Sequence, residues 1–379
     1  MAIQANLYNR YRPQTFNEIV GQEAIFRILS NAVIKERIAN AYLFRGPRGS
    51  GKTSVARILA KAANCENLKG FTTCGKCTGC RYALHDSEEI DAASNRGIDD
   101  VKELIDTLRY RPQHVNKKFV IIDEAHQLTS ASLNALLKVV EEPPSHVHFI
   151  FCTTENPSSE TDTDKAFVTL TSRCQILQFN KITPKAMLDK LARVCIAEEC
   201  QVSQDILMGI VGKSDGSLRD AENILDILLT LYDYEPPARI IQFLYGDIAF
   251  LTLKLFKSCC VETVRDGLLA VRELWDAGCN PVEVSNYCVN FVSSVINLKA
   301  GLTVYHVSDI VSQLEEISEH VGRNRLETIA IVFSELRRTR RDNILDLEMA
   351  VCDVFAESEV ESIEIPQEKV TVTTHSQGF

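Results

Sequence analysis

Gly46-Pro47-Arg48-Gly49-Ser50-Gly51-Lys52-Thr53 has the spacing G-x-x-x-x-G-K-[ST]. Glycines let a backbone take positive φ and approach a ligand closely, so successive N–H groups can point at phosphate oxygens. A helix starting directly afterwards adds its positive dipole end. In such a loop Lys52 would reach the β- and γ-phosphates of a nucleoside triphosphate, and Thr53 would hold Mg²⁺. A chance Gly-rich turn has a similar composition, but the flanks argue against one. An apolar run, Ala41 to Phe44, precedes the loop, and a helical pattern, Val55 to Ala63, follows it.

Asp123-Glu124 closes a second apolar run, Phe119 to Ile122. A strand ending in two carboxylates supplies what a phosphate loop lacks. Asp123 would bind Mg²⁺ through water, and Glu124 would orient and polarise an attacking water. Thr154 ends the run that starts at His148, where side chains of a parallel sheet face a ligand. Arg173, in Ser172-Arg173-Cys174, has the chemistry of an arginine finger acting on a neighbouring subunit's nucleotide. Arg219, in Gly216-Ser217-Leu218-Arg219-Asp220, could report nucleotide state to a helical block. A lone arginine is more often a solvated surface residue, so these two depend on context.

Cys65-x8-Cys74-x2-Cys77-x2-Cys80 has the density of a tetrahedral four-thiolate zinc site. Four thiolates leave no open position, so the expected role is structural. An Fe–S cluster is the rival reading, without a redox partner motif beside it. The surrounding Gly, Thr and Lys offer little core of their own, which favours a bound metal over four free thiols. The other nine of the thirteen cysteines, among them Cys195, Cys288 and Cys352, lie in apolar segments and are expected to be buried as small hydrophobes.

These groups need a frame. Three apolar runs (Ala41 to Phe44, Phe119 to Ile122, His148 to Cys152), a last run at Gln175 to Phe179 and a weaker one at Glu89 to Asp91 alternate with helical patterns such as Leu133 to Val140. That alternation predicts an α/β domain with a parallel sheet over residues 1–180. Beyond it the patterns are helical: 181–245 as short amphipathic helices, 246–360 as a second helical block, and 361–379 as a polar, frayed tail. The 379 residues are 45% hydrophobic and 24% charged, ordinary for a globular chain and long enough for two or three domains. No run approaches the ~20 apolar residues of a membrane span. With no signal-peptide core after Met1, a cytoplasmic location is expected. The net charge of −10 is uneven: residues 1–180 carry 22 Lys and Arg against 20 Asp and Glu, and the remainder 19 against 31. Any nucleic-acid contact would rest on a local patch of the near-neutral half.

Taken in order, these motifs resemble the gamma/tau family of bacterial DNA polymerase III, clamp-loader ATPases of the AAA+ class. The resemblance is strong over residues 4–245 and looser over 246–358. Its marks are Tyr8-Asn9-Arg10-Tyr11-Arg12-Pro13, Phe16, Gly21-Gln22, the phosphate loop, the cysteines inserted after the first helix, and Asp91-Ala92-Ala93-Ser94. They continue with Ile122-Asp123-Glu124-Ala125-His126, Asn134 to Lys138, Glu141-Glu142-Pro143-Pro144, Ser172-Arg173-Cys174 and Gly216 to Asp220. The family's fold is an AAA+ α/β domain with an inserted four-cysteine zinc module, then an all-α lid and an all-α collar. It implies ATP, Mg²⁺ and Zn²⁺ as cofactors. The stretch around Tyr8 to Pro13, which includes Tyr11, Arg12 and Pro13, and Gly21-Gln22 would pack on the adenine, Arg173 would act in trans, and Arg219 would be the second sensor. It also implies partners: delta and delta-prime subunits and further copies of the chain in a five-membered ring, the sliding clamp (beta), and primer–template DNA, with no membrane. ATP binding would let the ring hold and open the clamp, and hydrolysis on primed DNA would release it.

Two departures stand out. The connection Glu155 to Thr171 is longer than the family's usual one, with a polar, acidic excess around 158–164. The chain also stops soon after the collar, as the family's short form does. No polymerase carboxylate set is recognisable, so a polymerase label would belong to the holoenzyme. Alternatives are another AAA+ ATPase of DNA metabolism, of helicase-loader or branch-migration type, a ring subunit without hydrolysis, or a zinc-dependent nucleic-acid module. The cysteines, the intact Gly51-Lys52-Thr53 and Asp123-Glu124, and the acidic balance argue against them in turn.

Overall fold

The apolar runs become one parallel sheet: β1 (Ala41–Arg45), β2 (Glu88–Asp91), β3 (Lys118–Asp123), β4 (Val147–Thr153) and β5 (Gln175–Gln178). The order across it is β2-β3-β4-β1-β5, and every pairing is parallel. β4 therefore lies between the strand that leads into the phosphate loop and the strand that ends in Asp123. The computed structural model describes residues 6–70, 72–155, 162–232, 237–339 and 343–360.

The helices in chain order are α1 (Leu7–Arg10), α2 (Glu23–Ile34), α3 (Lys52–Ala63), α4 (Thr78–Tyr82), α5 (Ile98–Thr107), α6 (Ser130–Glu141) and α7 (Asp162–Thr171). α8 (Pro184–Ala197), α9 (Gln204–Lys213) and α10 (Leu218–Tyr232) follow. The central strands are buried on both faces, which is why they read as unbroken apolar runs rather than alternating ones. Phe119 and Ile121 of β3 join Tyr42, Phe44, Val55 and Leu59 on the face covered by α2 and α3. Val120 and Ile122 join Leu104, Leu133, Leu136 and Leu170 on the face covered by α5, α6 and α7. Side-chain caps start α6, α8 and α9 among others: Thr129 accepts from Ser132 N, Thr183 from Ala186 N with Pro184 in the first turn, and Ser203 from Ile206 N.

The chain divides into two compact units, residues 1–236 and 237–379. The helices after β5 thus share a unit with the sheet, and the division falls before the 245/246 boundary expected from the sequence. Gly246, with φ +64°, instead interrupts a helix of the second unit. That unit holds α11 (Pro237–Val261), α12 (Val264–Asp276), α13 (Pro281–Lys299), α14 (Ser308–His320), α15 (Arg323–Thr339) and α16 (Ile344–Val360). α13 packs against α11, α14 and α15, and Phe256, Phe291 and Phe333 are fully buried. Among the described residues no helix is long and apolar enough to cross a membrane.

Cys195, Cys259 and Cys288 are buried as expected, and burial pushes the Cys195 and Cys259 thiols up to about 12. Cys352 is an exception. It is exposed, because α16 turns Leu347, Val351 and Val354 inward and leaves the residue after Val351 on the outer face. The polar tail 361–379 and most of the acidic excess around 158–164 lie outside the described residues.

Candidate nucleotide-binding site and metal centre

β1 delivers the chain into the phosphate loop, and Gly51, with φ +95°, caps the N-terminus of α3. Backbone bonds fasten the loop to the sheet: Gly46 N donates to Thr153 O at 3.1 Å and Phe179 N to Arg45 O at 2.7 Å. Gly49 is required by close approach as well as by its φ of +72°, since a Cβ there would lie 2.1 Å from Ser217 Oγ. Lys52 is buried, and its ammonium donates to the carbonyls of Gly46 at 2.8 Å and Pro47 at 3.0 Å. Burial pulls its pKa below the ordinary lysine value.

Thr53 Oγ1 donates to Asp123 Oδ2 at 2.7 Å, joining the first turn of α3 to the end of β3 across the inserted strand. Asp123 Oδ1 accepts from Glu124 N at 3.1 Å. Glu124 sits at φ +48°, in the left-handed region that costs a non-glycine residue about 1–2 kcal/mol. Its Oε2 is buried without a hydrogen-bond partner, with His126 Nδ1 3.6 Å away. His126 Nδ1 in turn meets Thr153 Oγ1 at 3.1 Å. Strain of this kind is held by its surroundings, and it leaves an acceptor free beside the Thr53–Asp123 pair.

These groups border one cavity of about 420 Å³. Arg48, Gly49, Ser50, Gly51, Lys52, Thr53, Asp123 and Glu124 line one part of it, together with Asp91 from the end of β2. Gly46 and Pro47, from the same loop, are not among the lining residues. Another part is mostly apolar: Tyr8, Pro13, Ile19, Val20, Ile182 and Leu218. Arg12 and Arg219 also line the cavity, and the Arg219 guanidinium lies 4.8 Å from the centroid of the Tyr8 ring. Phosphate donors at one end and an apolar slot at the other suit a purine nucleoside triphosphate.

Several expected residues, Gly21, Gly46 and Pro47 among them, do not line this cavity. Tyr11 turns away from the cavity: its hydroxyl donates to Glu198 Oε1, and its carbonyl accepts from Lys190 Nζ at 3.1 Å. Tyr8, one helical turn earlier and in the same expected stretch, lines the slot. Gln22 is buried and bridges the backbone, donating to Asn180 O at 2.8 Å and accepting from Asn180 N at 3.3 Å. β4 ends at Thr153, so Thr154 lies one residue past the strand, exposed and outside the cavity lining. Arg173 is also outside it: its Nη1 donates to Thr169 O at 2.9 Å, and its Nε lies 3.5 Å from Glu141 Oε2.

Sequence reasoning missed Glu222. It lines the cavity from α10, and its residue is only 5% exposed. Burial, partly offset by Lys190 with Nζ 4.0 Å from Oε1, pushes its carboxyl up to about 7. A glutamate on the same face as the buried Leu225 was the available signal.

The four cysteines converge. Their sulfur atoms all lie within 4.8 Å of one another, with Cys74 and Cys80 at 3.9 Å. Zinc–sulfur bonds of about 2.3 Å give a tetrahedron with edges of about 3.8 Å, so the donor set fits Zn²⁺. Backbone N–H groups support the sulfurs: Cys74 N points to Cys65 Sγ, Cys77 N to Cys74 Sγ and Cys80 N to Cys77 Sγ, at 3.3–3.4 Å. Hydrogen bonds from the N–H groups of Lys76 and Cys77 pull the Cys74 thiol down to about 6, while burial pushes the Cys65 and Cys80 thiols up. A second cluster, His85, Asp86 and His114, is occupied by its own hydrogen bonds. Asp86 Oδ1 meets both ring Nδ1 atoms at 3.2 and 3.0 Å, and Oδ2 accepts from His114 N at 2.6 Å. Burial pushes the Asp86 carboxyl up, but these bonds outweigh it and hold the group at about 2.

A family model described as "DNA polymerase III, delta subunit" matches residues 21–183. DNA polymerase III subunit tau of Bacillus subtilis is 34% identical over 379 residues, covering 97% of this chain and 66% of that protein. DNA polymerase III subunit gamma/tau of Mycoplasma genitalium is 41% identical over 232 residues, covering 60% of this chain and 38% of that one. The chain thus spans no more than about two thirds of these relatives. Among solved structures, the Thermotoga maritima RuvB Holliday junction branch migration motor aligns with a TM-score of 0.48 and 19% identity, over 65% of this chain and 78% of that one. With the ordered motifs, the parallel sheet and identity of 34% along nearly its whole length, the chain belongs to the DNA polymerase III gamma/tau family.

Proposed function

We propose that this chain is an ATP-driven motor subunit of a bacterial clamp loader, acting in the cytosol within the DNA polymerase III holoenzyme. Its partners would be delta- and delta-prime-type subunits, further copies of itself, the sliding clamp and primed DNA. Residues 1–180 would form the ATPase domain with a zinc module at 65–80, residues 181–245 a lid, and residues 246–360 a collar. The observation that carries the reading is the 2.7 Å Thr53–Asp123 contact beside Glu124, whose Oε2 has no hydrogen-bond partner, all bordering one cavity with the phosphate loop.

Thr53 and Asp123 would hold Mg²⁺, which supplies charge neutralisation on the phosphates. Lys52 would exchange the Gly46 and Pro47 carbonyls for the β- and γ-phosphates. Glu124 Oε2, lacking any partner of its own, would accept a hydrogen bond from the attacking water and polarise it towards the γ-phosphorus. Arg219 would leave the Tyr8 ring for the γ-phosphate and so carry nucleotide state into α10. Arg173, held outside its own chain's cavity, would serve the nucleotide of a neighbour.

The test is ATP hydrolysis by the protein assembled with delta-type subunits, with and without clamp and primed DNA. Stimulation by both is expected, as is its loss in Lys52→Ala, which removes charged hydrogen bonds worth about 10- to 100-fold in nucleotide affinity. Equal hydrolysis with and without clamp and DNA would sink the clamp-loader reading.

A further inference from the structure

We propose that Glu222 is a base-specificity residue, whose carboxyl accepts a hydrogen bond from the exocyclic amino group of adenine. The inference rests on the nucleotide reading of the cavity and deepens it. Glu222 Oε1 is buried and has no hydrogen-bond partner, although the residue lines the cavity. Lys190 Nζ stands 4.0 Å from it, too far to satisfy it, and donates to the carbonyl of Tyr11 instead. A buried polar atom left in this way is costly, so it marks a place where a donor is expected to arrive.

The shape of the cavity says which donor. The loop and the Thr53–Asp123 pair fix the phosphate end, which sends the base towards Tyr8, Ile19, Ile182 and Leu218. Glu222 follows Leu218 by four residues on α10, so both lie on the same face of that helix. Glu222 lines the cavity together with these side chains and with Arg12 and Arg219, and in the proposal its carboxyl meets the edge of the stacked base. Adenine presents an amino donor on its edge, where guanine presents the O6 acceptor. An ionised carboxylate accepts from the first and repels the second, and a protonated carboxyl keeps one carbonyl oxygen as an acceptor for the amino group. Burial, which pushes this group up to about 7, therefore does not remove the acceptor.

The experiment is equilibrium binding of ATP, GTP and purine riboside triphosphate, which lacks the amino group, to the full chain with Mg²⁺. The unaltered protein is expected to bind ATP about 10- to 100-fold more tightly than the purine analogue. Glu222→Gln keeps an acceptor and is expected to keep most of that ratio. Glu222→Leu is expected to bring it close to one while still binding both. Equal binding of ATP and the analogue by the unaltered protein would overturn the inference without needing any variant to fold. An unchanged ratio in Glu222→Leu would overturn it too. No ATP binding at all by the unaltered protein would sink the nucleotide reading itself.

Discussion

Glu222 illustrates how a single buried carboxyl couples a site to stability. Its pKa of about 7 lies above the ordinary 4.5, so the folded chain holds this proton more tightly than the unfolded chain. The resulting stabilisation is complete below about pH 4.5 and is lost as pH rises through 7, by an amount on the order of 3 kcal/mol. Glu222→Gln has no proton to lose, so urea midpoints at pH 5 and pH 8 should differ less in the variant than in the parent. An identical pH dependence in both would show that the carboxyl is ionised and satisfied in the folded state. Glu124 shows a related arrangement: a left-handed φ and an unpartnered oxygen are tolerated where the chemistry needs an acceptor.

The cysteine insertion depends on how α4 meets α3. Gly79 of α4 sits against Asn64, the residue that ends α3, and a Cβ at Gly79 would lie 1.7 Å from the Asn64 carbonyl oxygen. Asn64 cannot retreat freely. Its side chain donates to Ala60 O and Lys117 O and accepts from Lys117 N, which ties it to the start of β3. Gly79→Ala must therefore shift α4 and Cys80 with it, a strain of about 1–3 kcal/mol. Competition with a chelator should show zinc bound about 10- to 100-fold more weakly in this variant, at one zinc per chain in the parent. A folded parent with almost no zinc would refute the structural metal site. Unaltered zinc affinity in Gly79→Ala would show that the module yields at this contact.

At the scale of the whole molecule, the proposed role of Arg173 is on the nucleotide of a neighbouring chain. It lies outside the cavity of its own unit, engaged with Thr169 and Glu141. Arg173→Ala should leave ATP affinity unchanged and, in the assembled complex, lower hydrolysis on the order of 10³-fold. Binding and turnover measured on the same preparation check this, and full hydrolysis would remove Arg173 from the reaction. The charge distribution belongs to this scale as well. The acid lies after residue 180, so salt-sensitive contacts with DNA would fall to the near-neutral sheet half.

The phosphate loop, the Asp123-Glu124 strand end and the four cysteines were determined by the sequence alone, because each is encoded in contiguous or closely spaced residues. The three central strands were legible for a related reason: burial on both faces leaves an unbroken apolar run that needs no partner to be recognised, whereas the edge strands β2 and β5 are mostly exposed or half-buried and read weakly. What only the tertiary structure decided is which side chain of a legible segment meets which distant one. Tyr8 lines the cavity and Tyr11 does not, because Glu198, far along the chain, draws the second phenol away. Gln22 braces Asn180 instead of facing a base, Cys352 points outward, and Glu222 enters the nucleotide slot from a helix that begins 165 residues after Thr53. Such choices depend on non-local packing, where a rotation of about 100° per residue along a helix separates a buried position from an exposed one.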